Sequence, residues 1–449
     1  MAMSEDKPST TIRKMHARAA GIDVGGSEHW VCVDPALAAD PIRRFGAFTE
    51  DLIALVAWLV SLGVTTVAME ATGVYWRELY LRLEEAGMEV LLADARQTRN
   101  PRGRKTDMQD CRWIWELHAH GLLSGGFVPG PTVQQLRTLL RFRQARVESS
   151  GIALKEMQRA LSLMNLKLQH VLSDIGGETG MAIITAILAG ERRPTALAKL
   201  RNYRCAQDEA TIAKALTGTW RSEHLFLLRQ AHADYLHHHA AMAACDAEIS
   251  ALIDRLPPAP GGDDPTDISR KRDTGKNGFS FDAQGAAFRL TGIDLPAIDG
   301  IGPTTAMSFL GEVGFELSAW PTSGAFASWL GLCPNPKRSG GKHLGNLPTT
   351  ANRAATILRH AAMGLDGKKS PMALFFRKMA ARKGRSEAIK ATAHKLARII
   401  YALFRDKTPY DRSKLTPRLT ERAKLRLTER LTRQAQQLGM ALVPMPTNG

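Results

Sequence analysis

The stretch AAGIDVGGSEHWVCVD, residues 19–34, decides the predicted fold of the N-terminal part of the chain. A run of small and apolar residues reaches one carboxylate, Asp23, and then turns at Gly25–Gly26 into a second apolar run. This pattern predicts two strands joined by a tight turn, with Asp23 at the end of the first strand. Two chemistries use a carboxylate in that position: a glycine turn that cradles a nucleotide phosphate, and a metal site that cuts nucleic acid.

An alternating pattern of strands and helices continues to residue 121. PIRRFGAF predicts a third strand, and TEDLIALVAWLVSLG predicts a helix with Thr49 as its N-cap and Gly63 just past its end. A β-branched strand then ends on Glu70, and after a second helix and a further strand, MEVLLAD, a last helix begins near Asp107. The order β-β-β-α-β-α-β-α indicates an α/β domain with a ribonuclease H-like fold.

Four carboxylates fall at the ends of these elements: Asp23, Glu70, Asp107 and Asp110. Because the ends of neighbouring strands converge, we expect the four side chains to meet, and four ionised carboxylates in one place need a cation. Mg²⁺ and Mn²⁺ prefer such oxygen ligands and can activate or stabilise oxygens at a phosphodiester. Basic residues expected to hold the substrate backbone follow in RGRKTD: Arg102, Arg104 and Lys105.

Each of these acids has an ordinary alternative role. Surface carboxylates are common, and Asp107 would serve as a helix cap. IDVGGS also resembles the first phosphate loop of the actin-like sugar kinases. A second phosphate loop and a glycine-rich adenosine site are not recognisable, however, and a kinase leaves the charge distribution unexplained.

The excess positive charge lies at the C-terminal end of the chain. The net charge is +16, and residues 351–449 hold 22 Lys and Arg against 6 Asp and Glu, whereas residues 1–350 hold 38 of each. A basic block attracts polyanions through phosphate contacts and counterion release, although a solvated helical tail has the same composition. The five cysteines form no CxxC pair, and no secretory signal or membrane span is recognisable, so we expect a soluble intracellular protein.

A heptad pattern of apolar residues runs through residues 131–175, interrupted at Arg143 and Ser150. The spacing predicts a long helix with a coiled-coil partner, either another subunit or the helices of 190–255; one long core helix of a bundle is the alternative. Further on, LPAIDGIGPTTAMSFLGEVG resembles a helix–hairpin–helix, in which Gly300 and Gly302 allow close approach to a phosphate. A plain glycine-rich turn is the alternative there. A late amphipathic helix, 386–406, is predicted with Ser386 as its cap.

Six motifs in order resemble the DEDD transposases of bacterial insertion sequences, the group that includes the Piv-type invertases: GIDVG, AMEATGVYW, RKTDMQD, IDGIGPTTA, WLGLCPNPKRSGGK and ANRAATILRHAA. Members are bridge recombinases that use a noncoding RNA made by their own element. The match covers roughly residues 18–128 and 289–405. It implies a RuvC-like domain whose acids are the four named above, and a C-terminal transposase domain whose nucleophile is Ser339.

The resemblance implies recombination through a covalent 5′-phosphoserine on Ser339, with the metal-bound acids acting on the same phosphate, from a different subunit. Residues around this serine that would approach the phosphate or offset its charge are Lys337, Arg338, Gly340, Gly341 and Lys342. From spacing alone, Ser339 is only a turn serine beside a basic loop. The implied partners are donor and target double-stranded DNA, a guide RNA, and further copies of the chain in a tetramer of dimers joined by coiled coils; the implied location is the bacterial cytoplasm, at the nucleoid.

Two other functions remain open at this point: a RuvC-like nuclease that hydrolyses DNA and releases it, and a noncatalytic RNA–DNA scaffold whose acids are structural. The predicted domains are a disordered arm (1–17), a RuvC-like domain (18–128), a coiled-coil helical domain (129–254), a linker or disordered insert (255–286), a transposase domain (287–410) and a basic helical tail (411–449).

Overall fold

The structure is a computed structural model, and it describes residues 13–71, 73–95, 97–98, 106–262, 268, 275–334, 336–340, 342–346, 352–415, 421–441 and 443. For some of these positions, including 336–338 and 342–346, it describes the backbone alone. The chain divides into two compact units, Met1–Val128 and Pro129–Gly449.

The first unit is built on a mixed five-stranded sheet in the order β3-β2-β1-β4-β5. Its strands are β1 (Ala19–Val24), β2 (Glu28–Val33), β3 (Ile42–Gly46), β4 (Thr66–Glu70) and β5 (Glu89–Ala93). Its helices are α1 (Thr49–Ser61), α2 (Trp76–Glu85) and α3 (Asp107–Ala119). The first three strands form an antiparallel meander, and β4 and β5 run parallel to β1. This arrangement is consistent with the ribonuclease H-like fold that the sequence predicts.

One close approach fixes α3 against the sheet. Gly21 of β1 lies directly beneath α3, and a Cβ at this position would overlap the backbone of Trp115 and the carbonyl oxygen of Cys111. Around it, Ala19, Cys32 and Ala119 are buried in one small apolar cluster with the same helix. Gly21, the first glycine of the GIDVG motif, therefore allows α3 to pack directly on the backbone of β1.

Two details of the first unit differ from the sequence predictions. Residues 13–17 do not behave as part of a disordered arm, because Lys14 forms an ion pair with Asp34 (2.6 Å) and His16 stacks on His118. Thr49 is the first residue of α1 and not its cap. The N-cap is Phe48, whose backbone N–H donates to the Asp51 carboxylate (3.1 Å).

The second unit is mainly helical, with one two-stranded hairpin. Its elements are α4 (Pro131–Leu163), α5 (Leu168–Val171), α6 (Glu178–Leu188), α7 (Pro194–Ala198), α8 (Glu209–Ala215), α9 (Ser222–Asp254), α10 (Ala283–Thr291), α11 (Pro303–Val313), α12 (Ser323–Trp329), β6 (Pro336–Ser339), β7 (Lys342–Asn346), α13 (Arg353–Met363), α14 (Pro371–Lys383), α15 (Arg385–Asp406) and α16 (Glu421–Gln437). Short 3₁₀ turns lie at Leu295–Ala297 and Arg412–Leu415. The predicted cap Ser386 lies inside α15, whose N-cap is Gly384.

Two helices of 33 residues each, α4 and α9, pack antiparallel along their length. The Cys245 thiol reaches the carbonyl of Leu139 near one end of the pair, and Ala160 and Leu227 line one groove near the other. The heptad seam of α4 thus has a partner within its own chain. A further partner from another subunit stays a prediction.

The segment before α10 is not a linker over its described part. The guanidinium of Arg143, buried between α4 and α9, donates to the carbonyls of Asn277 (3.1 Å) and Gly278 (2.7 Å). The backbone N–H of Ser280 donates to the Asp246 carboxylate (3.0 Å). The composition of this segment predicts disorder. Its backbone groups are nevertheless held by hydrogen bonds to the buried side chains of Arg143 and Asp246.

Candidate active site

Two of the predicted acids are neighbours on the two central parallel strands. The parallel register of β1 and β4 pairs Ala19 with Thr66 and continues to Ile22 with Met69, so the next pair is Asp23 and Glu70. Residues opposite one another in a sheet point to the same face. Both side chains are half-buried. The register therefore sets the two carboxylates side by side at the carboxyl ends of the strands.

The first turn of α3 lies over the same end of β1. Ala119 packs in the cluster around Ala19, whereas Cys111 lies over Gly21, so α3 runs antiparallel to β1. The N-terminal turn with Asp107 and Asp110 consequently comes level with the end of the strand. A hydrogen bond with Cys32, burial and the negative charge of nearby Asp23 raise the pKa of the Cys111 thiol on this part of α3.

The cap of α3 is a threonine and not one of the acids. The Thr106 hydroxyl accepts from the backbone N–H of Gln109 (3.4 Å). Asp107 is therefore the first helical residue, and its interpretation as the helix cap is wrong. Asp107 is exposed and Asp110 is half-buried. Negative charge in the first turn is favourable in itself, because it faces the positive end of the helix dipole.

Sequence reasoning missed two polar residues at this edge. Asp94 follows β5 directly, and Ala93, the residue before it, pairs with Glu70 across the parallel ladder. Asp94 ends the predicted strand MEVLLAD, so the rule that selected Asp23 and Glu70 would have found it. Thr98 is buried, and its hydroxyl donates to Oε2 of Glu70 (2.7 Å). Thr98 lies outside the helices and strands, so a pattern of hydrophobic residues could not have identified it.

The donor chemistry of this edge suits a hard divalent cation, because Asp23, Glu70, Asp107 and Asp110 offer only carboxylate oxygens. Among the residues that the structure describes, no three His, Cys, Asp or Glu side chains already form a ready-made metal site. The backbone thus aligns the acids at one edge, while their side chains are not closed around a common point. The basic residues expected beside them, Arg102, Arg104 and Lys105, lie outside the described residues.

Ser339 is the last residue of β6, at the tip of the β6–β7 hairpin. It pairs with Lys342 across the turn and is exposed. Gly340 follows with φ +54°, in the left-handed region that favours glycine. Lys337, Arg338 and Lys342 occupy strand positions whose side chains the structure does not describe, and Gly341 lies outside the described residues. The serine hydroxyl is accordingly carried on a narrow ribbon and not in a core.

The helix after the glycine-rich turn, α11, begins at Pro303 as the sequence predicts, whereas the helix–hairpin–helix interpretation stays a prediction. Gly300 adopts φ +89°, and Gly302 is the N-cap of α11, which begins at Pro303. Asp299, just before the turn, is buried and accepts from the Arg412 guanidinium (3.1 Å). A phosphate at this helix start stays a prediction.

A ribonuclease H-like domain with carboxylates at the ends of its central strands, followed by a mainly helical unit, is consistent with enzymes that cut and rejoin nucleic acid. Residues 20–165 match a family model for the DEDD transposases of IS110, and residues 294–371 match a model described as "Transposase IS116/IS110/IS902 family". The chain belongs to the DEDD transposases of IS110-family insertion sequences, and it is a DNA transposase. No curated protein matches it.

The DEDD type indicates dependence on a divalent metal ion, and the transposase family indicates DNA as substrate. Within the described part of the chain, every helix is too short or too polar to cross a membrane.

Proposed function

We propose that this transposase is an RNA-guided recombinase that joins donor and target DNA through a covalent phosphoserine on Ser339. Asp23, Glu70, Asp107 and Asp110 would together hold Mg²⁺ or Mn²⁺. The observation that carries the proposal is the parallel register that sets Asp23 beside Glu70, with the first turn of α3 level with them. When bound, the cation supplies charge stabilisation at the oxygens of the reacting phosphodiester.

The chemistry of the serine conserves phosphodiester bonds. The Oγ of Ser339 attacks the scissile phosphorus, its proton leaves to a neighbouring base or water, and the bond to the 3′ oxygen breaks with protonation of that oxygen. The 5′ end of one strand is then esterified to the serine. A 3′ hydroxyl from the partner DNA attacks the same phosphorus and releases the serine hydroxyl, so no water is consumed in the net reaction.

Two features of the hairpin support this role for Ser339. Its exposure makes the hydroxyl accessible to DNA, and the left-handed Gly340 next to it has no side chain to obstruct the backbone of a strand. Lys337, Arg338 and Lys342 would offset the charge of the pentacovalent phosphorus, and Gly341 would allow the backbone to approach it. The amides at Gly300 and Gly302 would hold a more distant phosphate.

The proposed partners are donor and target DNA, a guide RNA from the same element and further copies of the chain. The basic segment 351–449 supports contact with nucleic-acid backbones, since its charge acts without regard to base sequence. Base pairing by the RNA would then choose the site, as in other guided systems. Large apolar side chains left exposed on the α4–α9 pair support a coiled-coil assembly of dimers into a tetramer: Ile152, Leu163, Phe226, Leu227 and Leu236.

The decisive experiment is a search for the covalent adduct. Protein copurified with its RNA is incubated with donor and target DNA and Mg²⁺, and the protein–DNA adduct is mapped by mass spectrometry. We expect the adduct on Ser339 and its loss in Ser339→Ala and Asp23→Asn, with Ser318→Ala, another exposed serine, as the matched control. DNA cleavage that survives in Ser339→Ala would favour a hydrolytic nuclease, and recombination that survives in Asp23→Asn would favour a scaffold with structural acids.

A further inference from the structure

The Glu70 carboxylate accepts a hydrogen bond from a buried threonine, Thr98. The hydroxyl of Thr98 donates to Oε2 of Glu70 over 2.7 Å, and Thr98 is only 7% exposed. We infer that Thr98 is a positioning residue, which fixes the orientation of the Glu70 carboxylate for the cation. The inference rests on the proposed metal-binding role of Glu70.

The bond offsets a specific electrostatic cost. Asp23 and Glu70 stand in one register on adjacent strands, so their negative charges repel one another whenever no cation is bound. A hydroxyl donating to a carboxylate makes a charge-assisted hydrogen bond, which is stronger than a neutral one. The Thr98 hydroxyl thus stabilises the ionised Glu70 carboxylate. An ionised carboxylate has about four lone-pair sites on two oxygens, so one donor leaves acceptor capacity for a cation.

Thr98 is held in place by the side chain before it. Oε1 of Gln97 accepts from the backbone N–H of Ser124 (2.8 Å), and Nε2 of Gln97 donates to the carbonyl of Ser124 (3.1 Å). The side-chain amide of Gln97 thus makes the same two hydrogen bonds to Ser124 that a backbone peptide group makes across a β-ladder. The backbone N–H of Gln97 also donates to the carbonyl of Asp94 (2.8 Å), which closes the turn after β5.

The segment that receives Gln97 is itself tied to the sheet. Gly125 forms an antiparallel bridge with Ala93, and the backbone N–H of Gly126 donates to the carbonyl of Leu92 (2.8 Å). Hydrogen bonds therefore tie this segment to the sheet and Gln97 to Ser124, and Thr98, the next residue in the chain after Gln97, donates to Glu70. Hydrogen-bond partners that orient a metal ligand typically change metal affinity by about 10–100-fold when they are removed.

The test measures Mn²⁺ binding to the full-length protein from the electron paramagnetic resonance signal of free Mn²⁺. We expect Thr98→Val to weaken binding by about 10–100-fold, whereas Thr98→Ser, which keeps the hydroxyl, retains it. Thr65→Val is the matched control, because Thr65 is exposed next to β4. Gln97→Ala, a change at an exposed position that frees the turn, should weaken binding in the same direction.

The outcomes separate the two proposals. If Glu70→Gln weakens Mn²⁺ binding but Thr98→Val and Gln97→Ala bind like the wild type, the role of Thr98 is overturned and the metal site stands. If Glu70→Gln and the wild type bind alike, the metal site itself fails, and the role of Thr98 with it. Thermal melting of each variant identifies any that do not fold; should Thr98→Val be one, Gln97→Ala decides the question.

Discussion

Arg143 of α4 and Asp246 of α9 form a two-pronged ion pair inside the seam between these helices. Nε of Arg143 lies 2.5 Å from one carboxylate oxygen and Nη2 lies 3.2 Å from the other, with both side chains at most 5% exposed. The guanidinium also lies over the ring of Phe279, 4.0 Å from its centroid. Arg143, which interrupts the heptad pattern, therefore forms a buried ion pair with Asp246. This pair fixes which residues of the two helices face each other.

Removing one partner of this ion pair should strongly destabilise the second unit. Arg143→Met leaves the Asp246 carboxylate buried without its cation, and we expect a loss of about 3–5 kcal/mol in the free energy of unfolding, measured by urea denaturation. The double variant Arg143→Met/Asp246→Leu should recover most of the loss. The control is Arg159→Met, whose exposed pair with Glu156 on the same helix is worth about 0–1 kcal/mol. Equal effects of the two single variants would contradict the prediction.

A single methyl group at Gly21 should push α3 off the sheet. In Gly21→Ala the new Cβ overlaps the backbone of Trp115, which cannot give way as a flexible side chain would. We expect a loss of about 1–3 kcal/mol or more in stability, together with weaker Mn²⁺ binding, because the turn that carries Asp110 moves with the helix. Gly151→Ala, in open space on α4, should be neutral or slightly stabilising. A Gly21→Ala protein with unchanged melting temperature would show that the contact is looser than described.

The stability of the first unit should fall on mild acidification through His118. Its Nε2 lies 2.9 Å from the hydroxyl of Thr66, and burial, followed by the positive charge of His16, lowers the pKa of His118 from 6.5 to about 4. The unfolded chain therefore takes up this proton more readily than the folded protein. The contribution is fully present above pH 6.5 and is lost progressively as the pH falls towards 4.

The measurement is the urea midpoint between about pH 7 and pH 4. His118→Gln should remove a component of the pH dependence worth roughly 2–3 kcal/mol, whereas His170→Gln, at an exposed position, should keep the wild-type slope. Parallel slopes for the wild type and His118→Gln would refute the assignment.

Charge on the outer face of the α4–α9 pair should break the proposed assembly. Ile152 is 62% exposed and lines a groove of about 470 Å³ between the helices, and Phe226, next in the chain to the lining residue Leu227, is 58% exposed. We expect Ile152→Glu/Phe226→Glu to lower the molar mass found by light scattering, because an apolar contact would be replaced by buried, unpaired charge. Leu425→Glu, an equally exposed position on α16, is the control. An unchanged mass would place the subunit contacts elsewhere.

The sequence predicts those parts of the site that follow from periodic elements. Asp23 and Glu70 could be placed because each ends an apolar strand, and strand ends in a parallel sheet share an edge. The order of the elements in the first unit could be read for the same reason. The sequence wrongly predicts Thr49 and Ser386 as caps, because a helix can begin one or two residues before the residue best suited to cap it.

Contacts between distant and aperiodic residues could not be read in this way. Arg143 appeared only as a break in the heptads, since its partner Asp246 lies 103 residues further along the chain. The same buried pair orders backbone groups near Gly278 in a segment whose composition resembles a linker. Thr98 lies in a turn of polar residues, and only the geometry shows that its hydroxyl faces Glu70.

The strand order gives a practical site for labelling. β1 and β4 lie inside the first sheet, and the connection between β2 and β3 lies at the opposite side of β1 from Glu70. Ala39 and Asp40 in that connection are exposed. A fluorescent tag inserted between them would lie at the edge of the sheet. The protein could then be followed in a living cell without disturbing Asp23 and Glu70.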